Sequence, residues 1–253
     1  MLPRTPSYRL DGKRAVVIGG SRGIGLGCAV ALAEQGASVV IVARSKVQVF
    51  ETVNEMKSEG FSVSGAPMDV SIIDNVKNLM GEYSDIDILV NSAGIARHTP
   101  TVDTTELDFD DVMSVNVRSA YFLAQSAAKQ MISKGTGGSI IQISSQMAHV
   151  GGIDRAVYCG TKHAIEGINK SMAIEFGPYK IRVNSICPTF IRTPFTEPTF
   201  KDPEKVKWIE SKIKVGRVGE VEDIMGAVKF LASDVSAMVT GSSILIDGGW
   251  TAG

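Results

Sequence analysis

Tyr158 and Lys162 stand four residues apart in 156-AVYCGTKHA-164. On a helix that spacing puts both side chains on one face. A free phenol has a pKa of about 10, too high for efficient proton transfer near neutrality. An ammonium beside it favours the phenolate and lowers that value. A proton-transfer group works best when its pKa lies near the working pH. The pair therefore reads either as a phenol prepared to move a proton or as a packing pair on an exposed helix. The two residues alone do not decide between these readings.

A second chemical feature lies at 18-IGGSRGIGLG-27, where Gly19, Gly23 and Gly25 are spaced GxxxGxG. Glycine permits a tight strand-to-helix turn and lets the backbone approach a pyrophosphate at a helix N-terminus. The loop follows the first strand pattern and opens a helix, which is the context that a dinucleotide cradle requires. About twenty residues further on, an NAD site would carry a carboxylate for the ribose 2′-hydroxyl. The strand end here reads 41-IVARS-45, with Ala43 and Arg44 where that acid would stand, and Arg22 lies inside the loop. Two guanidinium groups favour a 2′-phosphate. The expected cofactor is NADP, with NAD less favoured.

These residues need elements to position them. After the first dozen residues, β-branched runs alternate with amphipathic stretches. The strand patterns are 14-RAVVIG-19, 38-SVVIVA-43, 61-FSVSGA-66, 86-IDILVN-91, 138-GSIIQIS-144, 181-IRVNSI-186 and 243-SILIDG-248. Helical patterns fall near 24–34, 46–58, 72–82, 106–133, 156–176 and 221–232. Several strands are apolar at consecutive positions, which suits a sheet covered on both faces. The alternation predicts an α/β fold: one doubly wound Rossmann domain over residues 1–253, its mainly parallel seven-stranded sheet lying between helix layers. Residues 1–9 read as an N-terminal extension. The segment 192-RTPFTEPTFKDPEK-205 breaks the pattern with Pro194, Pro198 and Pro203. It reads as the start of a mobile substrate lid over 192–215, since a loop after a late strand overlies the carboxyl ends of the sheet.

Composition bounds the rest. The chain has 253 residues, 44% of them apolar, and a formal net charge of -1. That balance suggests no nucleic-acid or anionic-membrane partner. No run is long enough to span a membrane, and no apolar stretch precedes the first strand as a secretory signal would. Cys28, Cys159 and Cys187 are odd in number and widely spaced, which fits a reducing, cytoplasmic setting without disulfides. Cys159 reads as a small buried thiol rather than a nucleophile. The three histidines share no metal-ligand spacing, so no metal is expected.

GGSRGIG (19–25), MDV (68–70), NSAG (91–94), VNV (115–117), ISS (143–145), Tyr158-x-x-x-Lys162, IRVNSICP (181–188), RTP (192–194) and ILIDGG (244–249) together resemble the short-chain dehydrogenase/reductase family, from about residue 10 onward. Ile18, Ser92 and Thr189 depart from its usual residues, and Thr189 falls where the nicotinamide should sit. The resemblance implies a catalytic tetrad of Asn116, Ser145, Tyr158 and Lys162. Ser145 would hydrogen-bond the substrate oxygen, and Asn116 would bind a water linking Lys162 to solvent. It implies cofactor contacts from Gly19, Ser21, Arg22, Gly23, Ile24, Gly25, Arg44, Asp69, Val70, Asn91, Ala93, Gly94, Tyr158, Lys162, Pro188, Ile191 and Thr193. Lys162 would also hold the nicotinamide ribose.

What the resemblance implies is an NADP(H)-dependent oxidoreductase that interconverts a secondary alcohol and a ketone. The expected substrate is a small sugar, sugar acid or polyol, with contacts from Gln146, His149, Arg155, Thr189 and Phe195. Met147, Ile153, Arg97, His98, Phe190 and Trp250 are weaker candidates. The family is usually tetrameric, with the helices around 106–133 and 156–176 at one interface. Rival readings are a 3-oxoacyl-thioester reductase acting on a carrier protein, a non-catalytic NADP-sensing regulator, and an epimerase or dehydratase of the extended relatives. The last has longer chains and a different glycine spacing.

Overall fold

The strand SVVIVA explains the architecture in miniature. Val39 and Ile41 point into one hydrophobic core, and Val40 and Val42 point into another on the opposite face. A strand with no polar face must be covered on both sides. The computed structural model describes residues 2–253, and Met1, the first residue of the expected extension, lies outside the described residues.

In chain order the elements are β1 (Arg14–Ile18), α1 (Gly23–Glu34), β2 (Ser38–Ala43), α2 (Lys46–Ser58), β3 (Val63–Pro67), α3 (Ile73–Glu82), β4 (Ile88–Asn91), α4 (Glu106–Met113), α5 (Ser119–Lys134), β5 (Gly138–Ile143), α6 (Ala156–Phe176), β6 (Ile181–Pro188), α7 (Glu197–Phe200), α8 (Pro203–Lys212), α9 (Glu222–Ala232) and β7 (Ser243–Ile246). The seven strands form one sheet in the order β3-β2-β1-β4-β5-β6-β7. Every neighbouring pair is parallel. Helices α1, α2 and α9 supply Leu32, Val53 and Val228 to one core. Helices α3, α5 and α6 supply Leu79, Leu123 and Met172 to the other. The chain reverses its direction of winding between β1 and β4, so the crevice beyond their carboxyl ends is where an open α/β sheet binds ligands. Among the described residues, no helix is long and apolar enough to cross a membrane.

Two stretches differ from the sequence pattern. The 106–133 helix is not one uniform helix: α4 passes into α5 through a π-type turn over Ser114–Arg118. The wider turn accommodates an extra residue and buries Asn116. Such turns recur at functional sites. The second difference is the 192–205 segment, whose prolines do not keep it irregular. Pro198 and Pro203 occupy the first turns of α7 and α8. A missing N–H costs nothing there, because the first helical donors have no partner within the helix. Asp202 caps α8 by accepting from the backbone N–H of Glu204 at 3.1 Å and of Lys205 at 3.3 Å. Further along the 192–215 stretch, Ile209 and Ile213 pack with Phe190 and Val218 in a small core of their own.

Candidate functional site

One cleft of about 460 Å³ opens along the carboxyl ends of the strands. Its floor is the β1–α1 turn. Gly19 adopts a left-handed φ of 74° there. A Cβ on it would meet the Ser92 carbonyl carbon at 3.0 Å, so a side chain would both strain the backbone and close the gap to the β4 exit. Gly25 does not line the cleft. A Cβ at this position would meet the Gly19 carbonyl oxygen at 2.1 Å, so Gly25 is what lets α1 start against the loop. Ser21, Arg22, Gly23 and Ile24 all line the cleft. The resulting turn, with no side chain between it and the cleft at Gly19, fits a dinucleotide pyrophosphate.

At the β2 end, Arg22 and Arg44 line the cleft and are both exposed. Neither forms an ion pair among the described residues. Asp69 and Val70 stand beside them. Burial pushes the Asp69 carboxyl up, but the Ser71 hydroxyl at 2.7 Å, its N–H at 2.9 Å and the nearby Arg44 charge outweigh that and hold it below its ordinary value. Ser45 and Gln48 join this wall and were not foreseen. Their signal was available in 45-SKVQ-48, an N-cap serine with glutamine three residues on. The Ser45 hydroxyl accepts from the Gln48 N–H at 3.3 Å.

Ala93 and Gly94 line the β4 side, and Pro188, Ile191 and Thr193 the β6 side. Asn91 is buried behind that wall. Its amide donates to Gln142 Oε1 at 2.8 Å and accepts from the Ala93 N–H at 3.2 Å, so it shapes the β4 exit rather than facing the cleft.

The structure brings Ser145, Tyr158 and Lys162 together at the cleft. Ser145 follows β5 and accepts from the Met147 N–H at 3.1 Å. The Lys162 ammonium donates to the Ile143 carbonyl at 3.0 Å and sits 5.6 Å from the Tyr158 ring centroid. Burial lowers the Lys162 pKa to about 8, with Cys187 and Glu166 acting against that shift. The expectation that Lys162 depresses the phenol does not describe this arrangement. Burial pushes Tyr158 up, and its hydrogen bond with Ser145 and the charge of Arg155 pull it down. Desolvation is the largest influence on the phenol, and it outweighs the neighbours that favour the phenolate.

Asn116 is buried beneath the cleft rather than lining it. Its Oδ1 accepts from the Ile95 N–H at 2.9 Å, and its Nδ2 donates to the Ile95 carbonyl at 2.9 Å and to Thr161 Oγ1 at 3.2 Å. The side chain is thus committed to clamping the chain after β4 onto α6.

On the β5–β6 side, Gln146, Arg155, Thr189 and Phe195 line the cleft. Gln146 is 1% exposed, and neither its amide oxygen nor its nitrogen has a partner among the described residues. The Thr189 hydroxyl is also buried without one. Arg155 Nη1 lies 2.8 Å from His98 Nε2. Arginine can only donate, so His98 accepts and carries its proton on Nδ1. Burial, then the Arg155 charge, lower the His98 pKa to about 4, which keeps the ring neutral. Arg155 also lies over the Phe190 ring, 5.4 Å from its centroid. His149 is exposed and outside the cleft, and Ile153 points away to solvent. Arg97 is engaged with Asp108 and Asp111 at 3.4 and 3.6 Å. Trp250 packs on Phe190 and Trp208 with ring centroids 5.7 and 5.5 Å apart. Cys159 is buried, and burial raises its thiol pKa.

A family model described as enoyl-(acyl carrier protein) reductase matches residues 18–251. L-Xylulose reductase of Bos taurus is 37% identical over 244 residues, covering 96% of this chain and 98% of its own. The 2-dehydro-3-deoxy-D-gluconate 5-dehydrogenase of Escherichia coli (strain K12) is 37% identical over 250 residues, covering 97% and 98%. Among solved structures, a gluconate 5-dehydrogenase from Burkholderia cenocepacia J2315 in complex with NADP and tartrate superposes with a TM-score of 0.94 at 34% identity, covering 97% of this chain and 98% of that one.

Proposed function

Because the chain belongs to the short-chain dehydrogenase/reductase family, we propose that it is an NADP(H)-dependent oxidoreductase interconverting a secondary alcohol and a ketone on a small sugar acid. The observation that carries the substrate class is the buried, unpartnered Gln146 amide and Thr189 hydroxyl on the cleft wall. An orphaned buried polar group costs about 1–3 kcal/mol, which a polyhydroxylated ligand would recover by hydrogen bonding. Arg155 favours an acid over a neutral polyol. The only hydrogen-bond partner of its guanidinium among the described residues is a neutral imidazole, so its charge remains available to a carboxylate. The relatives that act on 2-dehydro-3-deoxy-D-gluconate and on gluconate agree with this reading.

NADPH, when bound, supplies the hydride. The Gly19 turn would hold its pyrophosphate, and Arg22 and Arg44 its 2′-phosphate. Tyr158 would give its phenolic proton to the substrate oxygen, and the Ser145 hydroxyl would donate a hydrogen bond to the same oxygen as charge develops there. Lys162 would hold the nicotinamide ribose from its anchor on the Ile143 carbonyl. Asn116 would act through Ile95 and α6 to keep that geometry.

The same reading takes residues 1–253 as one domain, with 192–215 as the cover over the substrate; Thr193, Pro194, Phe195 and Thr196 reach the cleft from it. It takes the active form as a homotetramer, supported by exposed apolar side chains on the outer helices: Leu107, Phe109, Tyr121 and Ile174. It takes the location as cytoplasmic, supported by three cysteines that are all free. The test is a spectrophotometric panel following NADPH. Turnover of hydroxy and keto sugar acids above neutral polyols is the expected result. Turnover of an acetoacetyl thioester alone would replace this reading with acyl-chain reduction, for which the unpartnered polar wall gives no support.

A further inference from the structure

One turn beyond Lys162 on the same face of α6, Glu166 is 7% exposed and carries no cation within ion-pair distance among the described residues. A buried carboxylate without a counter-charge is expensive unless other groups stabilise it. Its Oε2 is held by two hydroxyls, Ser185 at 2.7 Å and Ser243. Among the described residues its Oε1 has only the Cys187 thiol, 3.6 Å away. The His149 ring comes from the loop after β5, and its donor atom, Glu166 Oε1 or Oε2 and Cys187 Sγ all lie within 4.8 Å of one another. Ser144, buried with no hydrogen-bond partner, has its hydroxyl against the same sulfur.

We propose that His149, Glu166 and Cys187 form a binding site for a zinc-class divalent cation behind the catalytic lysine. The donor set is one imidazole nitrogen, one carboxylate oxygen and one thiolate, the combination that zinc accepts. Zinc bonds of about 2.0–2.3 Å in tetrahedral geometry separate their ligand atoms by roughly 3.3–3.7 Å, close to the Cys187–Glu166 spacing already present. Ser185 and Ser243 orient the carboxylate as outer-shell groups do in metal sites. Three protein ligands leave one position for water, and the Ser144 hydroxyl lies against the sulfur ligand. His149 is exposed, so the site has an entrance from solvent. Binding replaces the thiol proton of Cys187, which leaves to solvent, and no electron transfer is involved. The three residues are far apart in the chain, which is why sequence spacing shows no metal motif.

The bound ion, together with the thiolate that it creates, would cancel the negative charge that Glu166 alone places behind Lys162. It would disfavour the ammonium there and slow turnover. This inference does not depend on which alcohol or ketone the cleft accepts.

The test titrates the full-length protein with Co2+, whose thiolate complexes absorb in the near ultraviolet, and then with Zn2+ in competition. One equivalent should bind with a thiolate band, and zinc should inhibit in step with occupancy. His149→Ala, at an exposed position, should keep basal turnover and weaken binding by more than about 10-fold. Cys187→Ser should abolish the band. Absence of a stoichiometric thiolate band in the unmodified protein overturns the proposal. So does zinc binding that survives both substitutions, or zinc inhibition that persists undiminished in His149→Ala.

Discussion

Where β1 runs into α1, the cleft wall is main chain and exposed charge. Gly19 and Ser21 offer backbone, and Arg22 and Arg44 reach in from solvent without ion-pair partners among the described residues. Across the sheet, beyond β5, the wall is buried side chain. Gln146 and Thr189 keep unpartnered polar atoms, and Arg155 leans on Phe190 and a neutral His98. The first half fits a ligand through shape and long-range charge. The second fits one through desolvated polar groups, each of which penalises a ligand that leaves it unpaired. Ser145, Tyr158 and Lys162, the residues proposed for proton transfer, stand where the halves meet.

Four measurements would break or sharpen that comparison. Tyr158→Phe touches the junction and should have the largest effect. Turnover should fall by roughly 10²–10⁴-fold, the usual worth of general acid-base catalysis. NADPH binding, followed by fluorescence, should persist, because the phenyl ring remains. Retained turnover would remove Tyr158 from the proton path.

Arg44→Asp tests the charged half. Losing one charge-assisted contact of about 1.5–3 kcal/mol shifts the NADPH/NADH ratio of kcat/KM towards NADH by at least roughly 10-fold, and the new repulsion adds to it. An unchanged ratio would mean that the 2′-phosphate is read elsewhere on the wall.

Arg155→Met tests the buried half. KM for a sugar acid should rise about 10-fold, in line with one lost charged hydrogen bond, while a neutral polyol is unaffected. An equal loss for both substrates would make Arg155 a packing residue on Phe190.

The smallest effect concerns pH. Burial brings the Lys162 pKa down to about 8. A lysine with a lowered pKa loses its charge earlier, so the ammonium is full below that value and fades above it. The kcat/KM for reduction should therefore fall as pH rises through about 8. Lys162→Arg, which does not titrate, should flatten that limb even if overall activity drops. A limb that stays in place would assign it to another group.

The two halves were not equally legible. The glycine loop, Arg22, Arg44 and the α2 cap lie within a single βαβ unit, and local spacing reports local geometry there. The consecutive apolar strands likewise announce a sheet covered on both faces. The prolines of 198 and 203 misled, because proline marks a break in mid-helix but a start in a first turn, and spacing alone does not say which. Asn116 was singled out through its motif alone, and its commitment to Ile95 depends on a π-type turn with no evident signature in the residues.

The sequence by itself determined the winding of the sheet, the tight glycine turn after β1 and the Tyr158–Lys162 face, because each follows from backbone chemistry over a few residues. Only the tertiary structure decided that burial raises the phenol and lowers the lysine, and that His149 faces away from the cleft towards Glu166 and Cys187. It also decided that Gln146 and Thr189 would be left without partners. Those outcomes depend on desolvation and on neighbours from other strands. Both are properties of the packed chain, fixed when segments a hundred residues apart exclude water from one another.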